Sequence, residues 1–273
     1  FFLLHYFVIS SYFSYFLLSK DLTFYLLTFL LTVSYPLAML IEKKSEAVLS
    51  KYFYIISSVW MGFLFISFSV ILFVKILGLF VSFNKYVGVF VLLISLSVSI
   101  YEVINSLFIR IKNLRVPISG LKKNLRIVQL SDIHLGSINK DNYLRKVVEK
   151  TNAQKPDIVV VTGDLVDGSA PISTHMVDSI NKLDAQTLYV IGNHEIYEGL
   201  ENIMPILKKT KMKILRDTVF ESKDIRFIGI DYREGNKFLN DNIRNYKSGK
   251  KKPSILLYHA PSLKADTLSK NNI

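Results

Sequence analysis

Long runs without charged side chains dominate the first 109 residues of this 273-residue sequence. The runs are rich in Leu, Ile, Val, Phe and Tyr; they cover residues 1–19, 22–41, 52–74 and 86–109, and only Glu102 interrupts the last. A helix that crosses the hydrocarbon core of a bilayer needs ~20 such residues. A cleaved signal peptide would account for one run only. The pattern therefore predicts about four transmembrane helices over residues 1–109.

Basic residues are distributed unevenly around these predicted spans. Residues 1–109 hold six Lys and no Arg against four acidic residues, whereas residues 110–273 hold the other 28 basic residues against 18 acidic ones. Positive charge collects in the 42–52 loop and in the linker over residues 110–125. With four spans both segments lie on one face of the membrane, and basic loops favour the cytoplasm. We therefore expect a cytoplasmic soluble domain, with the linker touching anionic lipid headgroups.

The net charge of +12 and the absence of cysteine exclude several classes of function. The basic residues form no motif interleaved with aromatic side chains, so a nucleic-acid partner is not expected. A chain without cysteine has no disulfide, no thiolate metal ligand and no cysteine nucleophile. The partner that the first 109 residues do predict is the lipid bilayer.

The sequence after the linker alternates between two kinds of pattern. Apolar runs typical of buried strands lie at 126–131, 158–162, 187–191, 225–230 and 254–258. Amphipathic patterns typical of helices lie at 140–153, 172–183 and 198–209. The alternation predicts an α/β domain over residues 126–273, with helices layered on a sheet.

Polar side chains follow four of the predicted strands. Asp132 and His134 follow the first, Asp164 and Asp167 the second, Asn193, His194 and Glu195 the third, and His259 the last. Ligands gather at the carboxyl ends of the strands in open α/β sheets, so we expect these side chains to converge. Three of the four histidines in this part of the chain fall at such positions. His175, on a predicted helix, and His5 are interpreted as structural.

The combination of carboxylates with imidazoles indicates a metal site. Hard oxygen ligands mixed with imidazole suit Mn, Fe or Zn ions, whose identity stays open, rather than a closed structural zinc site. Two such ions about 3.5–4 Å apart can activate a bridging hydroxide and hold phosphate oxygens during in-line displacement. The strand ends therefore predict a site for divalent metal ions, of a kind that could hold two ions as cofactors.

Four short blocks in residues 126–273 resemble the calcineurin-like metallophosphoesterase family. The blocks are DIH, GDLVD, GNHE and YHAP, in the order that the family pattern has them. The resemblance implies a four-layer α/β/β/α sandwich and a hydrolase that cleaves phosphoester bonds, for example as a phosphodiesterase. Because membrane-bound relatives exist, lipid-linked phosphoesters or pyrophosphates are candidate substrates.

The resemblance also implies a role for each matched residue. Asp132 and His134 would hold the first ion, and Asp164 would bridge both ions. Asn193 and His259 would hold the second ion. His194 would face the phosphate or the leaving group as a catalytic residue, oriented by Asp167. Glu195 occupies a position where the family accepts either acid, and it receives no direct metal role. Residues two apart on an extended chain point the same way, which would let Asp132 and His134 grip one ion.

The sequence departs from the family pattern after His259, where no G-H-x-H block follows. The first residue is Phe rather than Met. We therefore expect that the natural protein extends beyond both ends, and that the domain as given is incomplete at its C-terminus. Two functions remain open: a membrane-anchored metallophosphoesterase, or a catalytically inactive membrane signalling or structural module with a degenerate domain.

Overall fold

The computed structural model describes residues 1–45, 47–84, 86–168, 172–222, 224–233, 246 and 252–260. The chain divides into two compact units, Phe1–Lys112 and Asn113–Ile273. The first unit is helical and the second contains two β-sheets. Each unit is described by itself below.

The helical unit contains helices α1 (Phe2–Tyr15), α2 (Leu22–Glu42), α3 (Val48–Leu77) and α4 (Val87–Ser106). The last three of these are long and apolar enough to cross a membrane. The Asp21 side chain caps α2 by accepting hydrogen bonds from the N–H groups of Thr23 and Phe24, at 3.0 and 3.4 Å. The structure thus gives a helical N-terminal region with three apolar helices of spanning length.

Helix α1 packs against α3 through polar contacts inside this apolar unit. Trp60 Nε1 donates a hydrogen bond to Nε2 of the buried His5 at 3.2 Å, and the Tyr12 hydroxyl donates to Ser67 Oγ at 3.0 Å. His5 is therefore a structural histidine with an indole partner. Helix α1 has 14 residues and a length of about 21 Å, less than the ~30 Å of a hydrocarbon core. The span predicted over residues 1–19 stays a prediction.

The first sheet of the second unit is parallel, with strand order β1-β2-β3-β4. Its strands are β1 (Ile127–Leu130), β2 (Ile158–Thr162), β3 (Gln186–Val190) and β4 (Lys213–Ile214). Every residue of β2 is buried, because side chains alternate between two covered faces. The α/β domain with a parallel sheet is confirmed.

The second sheet has strand order β5-β6-β7 and packs on the first. Strands β5 (Thr218–Ser222) and β6 (Ile225–Gly229) are antiparallel, and β7 (Ser254–Leu257) runs parallel to β6. The core between the sheets is formed by Ile158, Val160, Leu188, Val190, Leu215, Ile225, Phe227 and Leu257. On the other face of β6, Ile228 is buried and packs in a cluster with Tyr246.

The helices of this unit connect the strands of the first sheet. They are α5 (Asp141–Ala153), α6 (Thr174–Val177), a 3₁₀ helix over Asp178–Lys182, α7 (Asn193–Glu198) and α8 (Leu200–Leu207). The helix predicted over 172–183 is thus two short helices, and His175 on α6 is exposed, with Nδ1 3.2 Å from Asp178 Oδ2. Strands β4 and β5 and helix α7 lie outside the predicted elements.

Candidate metal centre

The loops after β1 and β2 stay hydrogen-bonded to each other beyond the ends of the strands. The N–H groups of Asp132 and His134 donate to the carbonyls of Gly163 and Asp164, at 3.3 and 3.0 Å. The Leu135 N–H donates to the Leu165 carbonyl at 2.8 Å. These bonds hold the first two predicted blocks side by side at the carboxyl edge of the sheet.

Three site residues adopt left-handed backbone conformations. The φ angles are +55° for Asp132, +50° for His134 and +53° for Asp164. Such a conformation costs a non-glycine residue on the order of 1 kcal/mol and clusters at functional sites. Asp132 and His134 therefore do not converge by sharing one face of an extended chain. The left-handed turns bring His134 Nε2 to 3.7 Å from Asp132 Oδ1.

The buried carboxylate of Asp164 lies at the centre of the site. Its Oδ2 lies 3.3 Å from Nε2 of His259, 3.8 Å from Nε2 of His134 and 4.0 Å from Nε2 of His194. Its Oδ1 accepts a hydrogen bond from the His194 N–H at 3.0 Å. Burial alone raises the pKa of Asp164, but the hydrogen bonds from His259 and the His194 N–H outweigh burial, and the net pKa is lowered. The carboxylate is thus held ionised.

His259 and Asn193 place oxygen and nitrogen acceptors around one point. His259 Nδ1 donates to the Thr162 carbonyl at 2.9 Å, so in a neutral ring Nε2 carries the lone pair. Nε2 faces Asn193 Oδ1 at 2.8 Å and Asp164 Oδ2 at 3.3 Å. Three acceptors can meet there only around a cation, either a proton or a metal ion. The hydrogen bond to Asp164 raises the pKa of His259 to about 9.

His134 and His194 pack edge to face, with ring centroids 4.6 Å apart, and Nε2 of each lies within 4.0 Å of Asp164 Oδ2. His194 Nδ1 donates to the main-chain carbonyl of Asp167 at 2.7 Å, which leaves Nε2 for the site. The Asp167 carboxylate lies 3.6 Å from His134 Nδ1 and 3.9 Å from His194 Nδ1. The interaction with the Asp167 carboxylate is the main reason that the pKa of His134 is raised, although burial acts in the opposite direction. The orientation of His194 thus comes from the Asp167 carbonyl.

Two groups of donor atoms fit divalent metal ions. One is His134, Asp164 and His194, the other is Asp132, Asp164 and His259, and within each group the donor atoms lie within 4.8 Å of one another. Asp164 belongs to both groups, and Asn193 adjoins the second through His259. Mixed carboxylate and imidazole donors suit Mn, Fe or Zn. The structure therefore brings all seven predicted residues together, while the division of the ligands between two ions stays a prediction.

Glu195 has a role that the sequence did not reveal. Its fully buried carboxylate accepts four backbone hydrogen bonds: Oε2 from Asp164 at 3.0 Å and Gly192 at 2.8 Å, and Oε1 from Leu165 at 2.8 Å and Val166 at 3.2 Å. It thereby ties the loop after β2 to the start of α7. The sequence feature that could have indicated this role is an acid three residues after Gly192, because an acid at that position of a helix start can accept hydrogen bonds from the N-terminal N–H groups.

Two glycines let the same loops approach. A Cβ on Gly163, whose φ is +87°, would lie 2.7 Å from Gly192 Cα. A Cβ on Gly192 would lie 2.2 Å from Asp164 Oδ1. Because real Cβ atoms do not come that close, only glycine at both positions allows Asp164 and Asn193 to share one site.

The sequence pattern of calcineurin-like phosphoesterases matches residues 125–272, more than half of the chain. The chain belongs to the calcineurin-like phosphoesterase family. The match covers the two sheets and all seven predicted site residues. Proteins of this family use divalent metal ions, which agrees with the two groups of donor atoms.

Individual relatives share parts of this phosphoesterase domain. An uncharacterized metallophosphoesterase of Campylobacter jejuni is 41% identical over 123 residues, which cover 44% of this chain and 32% of that protein. A bovine transmembrane protein with a metallophosphoesterase domain is 35% identical over 92 residues, 32% of this chain and 21% of that protein. UDP-2,3-diacylglucosamine pyrophosphatase LpxG of Chlamydia trachomatis is 52% identical over 42 residues, 15% of this chain and 13% of that protein. The chain spans about a third or less of each of these relatives.

Proposed function

We propose that this protein is a membrane-anchored hydrolase that cleaves phosphoester or pyrophosphate bonds at a dinuclear metal site. The observation that carries the proposal is the position of Asp164, whose Oδ2 lies within 4.0 Å of three imidazole nitrogens and whose carboxylate belongs to both groups of donor atoms. A single carboxylate shared by two metal groups is the arrangement that a two-ion phosphoryl centre needs.

The residues of the chain divide the work between metal binding and proton transfer. Asp132, His134 and Asp164 would hold one ion, and Asp164, Asn193 and His259 the other. This division differs from the two compact donor groups, which pair Asp132 with His259 and His134 with His194; it rests on the 3.7 Å between His134 Nε2 and Asp132 Oδ1 and keeps His194 for proton transfer. When bound, the ions supply an activated water and positive charge for the phosphate oxygens. Nε2 of His194 faces Asp164 while Nδ1 is fixed to the Asp167 carbonyl. A protonated His194 can therefore donate a proton from Nε2 to the leaving oxygen.

The alternative function is a catalytically inactive membrane module with a degenerate domain. A degenerate site would have lost selection on its ligand geometry, whereas here left-handed backbones at three residues maintain that geometry at an energetic cost. The convergence of all seven side chains supports the enzyme. The same convergence leads us to propose that the site binds two metal ions, and that both ions take part in hydrolysis.

A lipid-linked phosphoester is the substrate class that we propose. Three helices long and apolar enough to cross a membrane are part of the same chain as the metal centre. The relative from Chlamydia is named as a pyrophosphatase of UDP-2,3-diacylglucosamine, a lipid-bearing nucleotide. Both observations support a substrate that carries a hydrocarbon portion and a phosphoester or pyrophosphate bond.

Removal of metal should abolish hydrolysis. We expect the full-length protein in Mn²⁺ to hydrolyse bis-p-nitrophenyl phosphate or p-nitrophenyl phosphate. Dialysis against a chelator should lower the rate to background, because the carboxylates and imidazoles of the site activate water and bind phosphate only through bound metal ions. Adding back Mn²⁺, Zn²⁺ or Fe²⁺ in parallel samples should restore hydrolysis, and the restored rates rank the three metals. A rate that survives exhaustive chelation would contradict the dinuclear site.

The soluble unit should face the cytoplasm. If α3 and α4 both cross the membrane, Lys43 and Lys44 lie on the same side as the basic linker over residues 110–125, whether or not α1 spans it. The chain has no cysteine, so single substitutions label cleanly. In intact cells a membrane-impermeant maleimide should label Ser82→Cys, in the loop after α3, and should leave Ser45→Cys and Lys122→Cys unlabelled. The reversed pattern would place the metal centre outside.

A further inference from the structure

Five large apolar side chains are exposed in the described part of the second unit: Leu114, Val116, Ile138, Ile196 and Tyr197. Two of them, Ile196 at 40% and Tyr197 at 57% exposed, follow His194 on α7. Single exposed apolar residues need no explanation, but two adjacent ones on the helix that carries Asn193 and His194 do.

Helix α7 presents site residues and apolar residues on the same side. Residues three apart on a helix are neighbours, so Ile196 lies beside Asn193, and Tyr197 lies beside His194. The Tyr197 ring packs on the His194 ring with centroids 5.5 Å apart. Glu195, between these pairs, points into the interior, where it is fully buried. The outer turn of α7 therefore continues the metal centre as an apolar surface.

We propose that Ile196 and Tyr197 form an apolar subsite that binds the hydrocarbon chain of a substrate whose phosphate lies at the metal centre. The inference rests on the proposed function and deepens it, because it assigns residues to the lipid part of the substrate. A chain attached to a phosphate next to His194 passes over Tyr197 as it leaves the site. Tyr197 and Ile196 would then select substrates by the length of that chain.

The position of the subsite favours the substrate over other occupants. Whatever covers Tyr197 lies directly on His194, so a permanently docked protein or bilayer surface would obstruct the phosphate, whereas the substrate's own chain would not. Two side chains also fall well below the ~1,000 Å² that a specific protein interface buries. A hydrocarbon chain needs only a narrow apolar strip, and each methylene that it buries there adds to binding.

The test measures binding as a function of chain length in the full-length protein in lipid nanodiscs with Mn²⁺. Methylphosphonate and octylphosphonate are compared by calorimetric titration, since neither can be hydrolysed. We expect the wild-type protein to bind octylphosphonate roughly tenfold more tightly than methylphosphonate. The ratio should fall to about twofold or less in the double variant Ile196→Ser/Tyr197→Ser, which removes the apolar area.

Three further variants make the result specific. Tyr197→Phe keeps the apolar ring and should retain the wild-type ratio, and Ile196→Ser alone should give an intermediate ratio. Tyr143→Ser changes a partly exposed tyrosine on α5, which carries none of the site residues, and should leave the ratio unchanged. Because octylphosphonate enters the nanodisc lipid equally for every variant, that partitioning cancels in the comparison.

The outcomes separate this inference from the function on which it rests. A double variant with the wild-type ratio, or a wild-type protein without a preference for octylphosphonate, would overturn the apolar subsite. Hydrolysis of octyl p-nitrophenyl phosphate is measured in parallel. If that ester is not cleaved but the binding ratio still depends on Ile196 and Tyr197, the apolar subsite stands and the proposed hydrolase does not.

Discussion

Replacing Asp164 by Asn should lower kcat by about 10³-fold or more and abolish binding of the second metal ion. The carboxylate belongs to both groups of donor atoms, and its Oδ2 is within 4.0 Å of three imidazole nitrogens. An amide oxygen carries no full negative charge and binds divalent ions more weakly than a carboxylate, so both ions would be held more weakly and the phosphoryl transition state would lose several kcal/mol of stabilisation. The measurement is steady-state kinetics together with the Mn²⁺ stoichiometry from calorimetry.

Asp184→Asn is the matched control for this variant. Asp184 is an exposed acid just before β3, at the opposite end of the strand from the site, so the same substitution there should leave kcat and stoichiometry unchanged. Asn at position 164 can still accept the hydrogen bond from the His194 N–H, so the thermal unfolding midpoints of both variants should stay near wild type. A kcat for Asp164→Asn within threefold of wild type, with two ions bound, would contradict the assignment.

The strands of the soluble unit could be predicted from the sequence because burial dictates their composition. The run over 158–162 is buried at every position in β2, and no alternating pattern was needed to recognise it. Strands β1, β3, β6 and β7 follow their predicted runs to within two residues at each end. Parallel strands of one sheet end at the same edge, which is why residues as distant as Asp132 and Asn193 could be placed together.

The elements that escaped prediction are short or lack a periodic pattern. Strand β4 has two residues, Lys213 and Ile214, too few for any periodicity. Helix α7 has six residues whose apolar members, Ile196 and Tyr197, are exposed rather than buried. Its helical form follows from the hydrogen bonds of Glu195 and from packing at the site, neither of which leaves a hydrophobic stripe in the sequence.

Main-chain features of the site were also beyond sequence reasoning. Nothing in the letters DIH indicates that both Asp132 and His134 have positive φ. The family resemblance implied that Asp167 orients His194, but only the structure shows that the Asp167 carbonyl makes the 2.7 Å contact. The residue types identify the candidate site residues, whereas main-chain hydrogen bonds between distant loops determine which of their atoms come into contact.

Replacing Glu195 by Gln should lower metal affinity about 10- to 100-fold and reduce stability, although Glu195 is assigned no contact with a metal. The carboxylate accepts four N–H groups, and a Gln side chain would turn its own N–H₂ group toward two of them. Each buried N–H left without an acceptor costs about 1–3 kcal/mol. The loop carrying Asp164 would shift, and groups that orient metal ligands typically contribute this much to affinity.

The decisive comparison is between Glu195→Gln and Glu195→Asp. Asp keeps the negative charge and can accept some of the four hydrogen bonds, so it should retain more Mn²⁺ affinity than Gln. Glu201→Gln, an exposed acid on α8, controls for the substitution itself and should match wild type. Affinity is measured by calorimetry well below each variant's unfolding midpoint. If Glu195→Gln lowers the midpoint but leaves Mn²⁺ affinity unchanged while folded, then Glu195 supports the fold and does not position Asp164. Because both its oxygens bond to the loop that carries Asp164, we expect affinity and stability to fall together, with Asp restoring both in part.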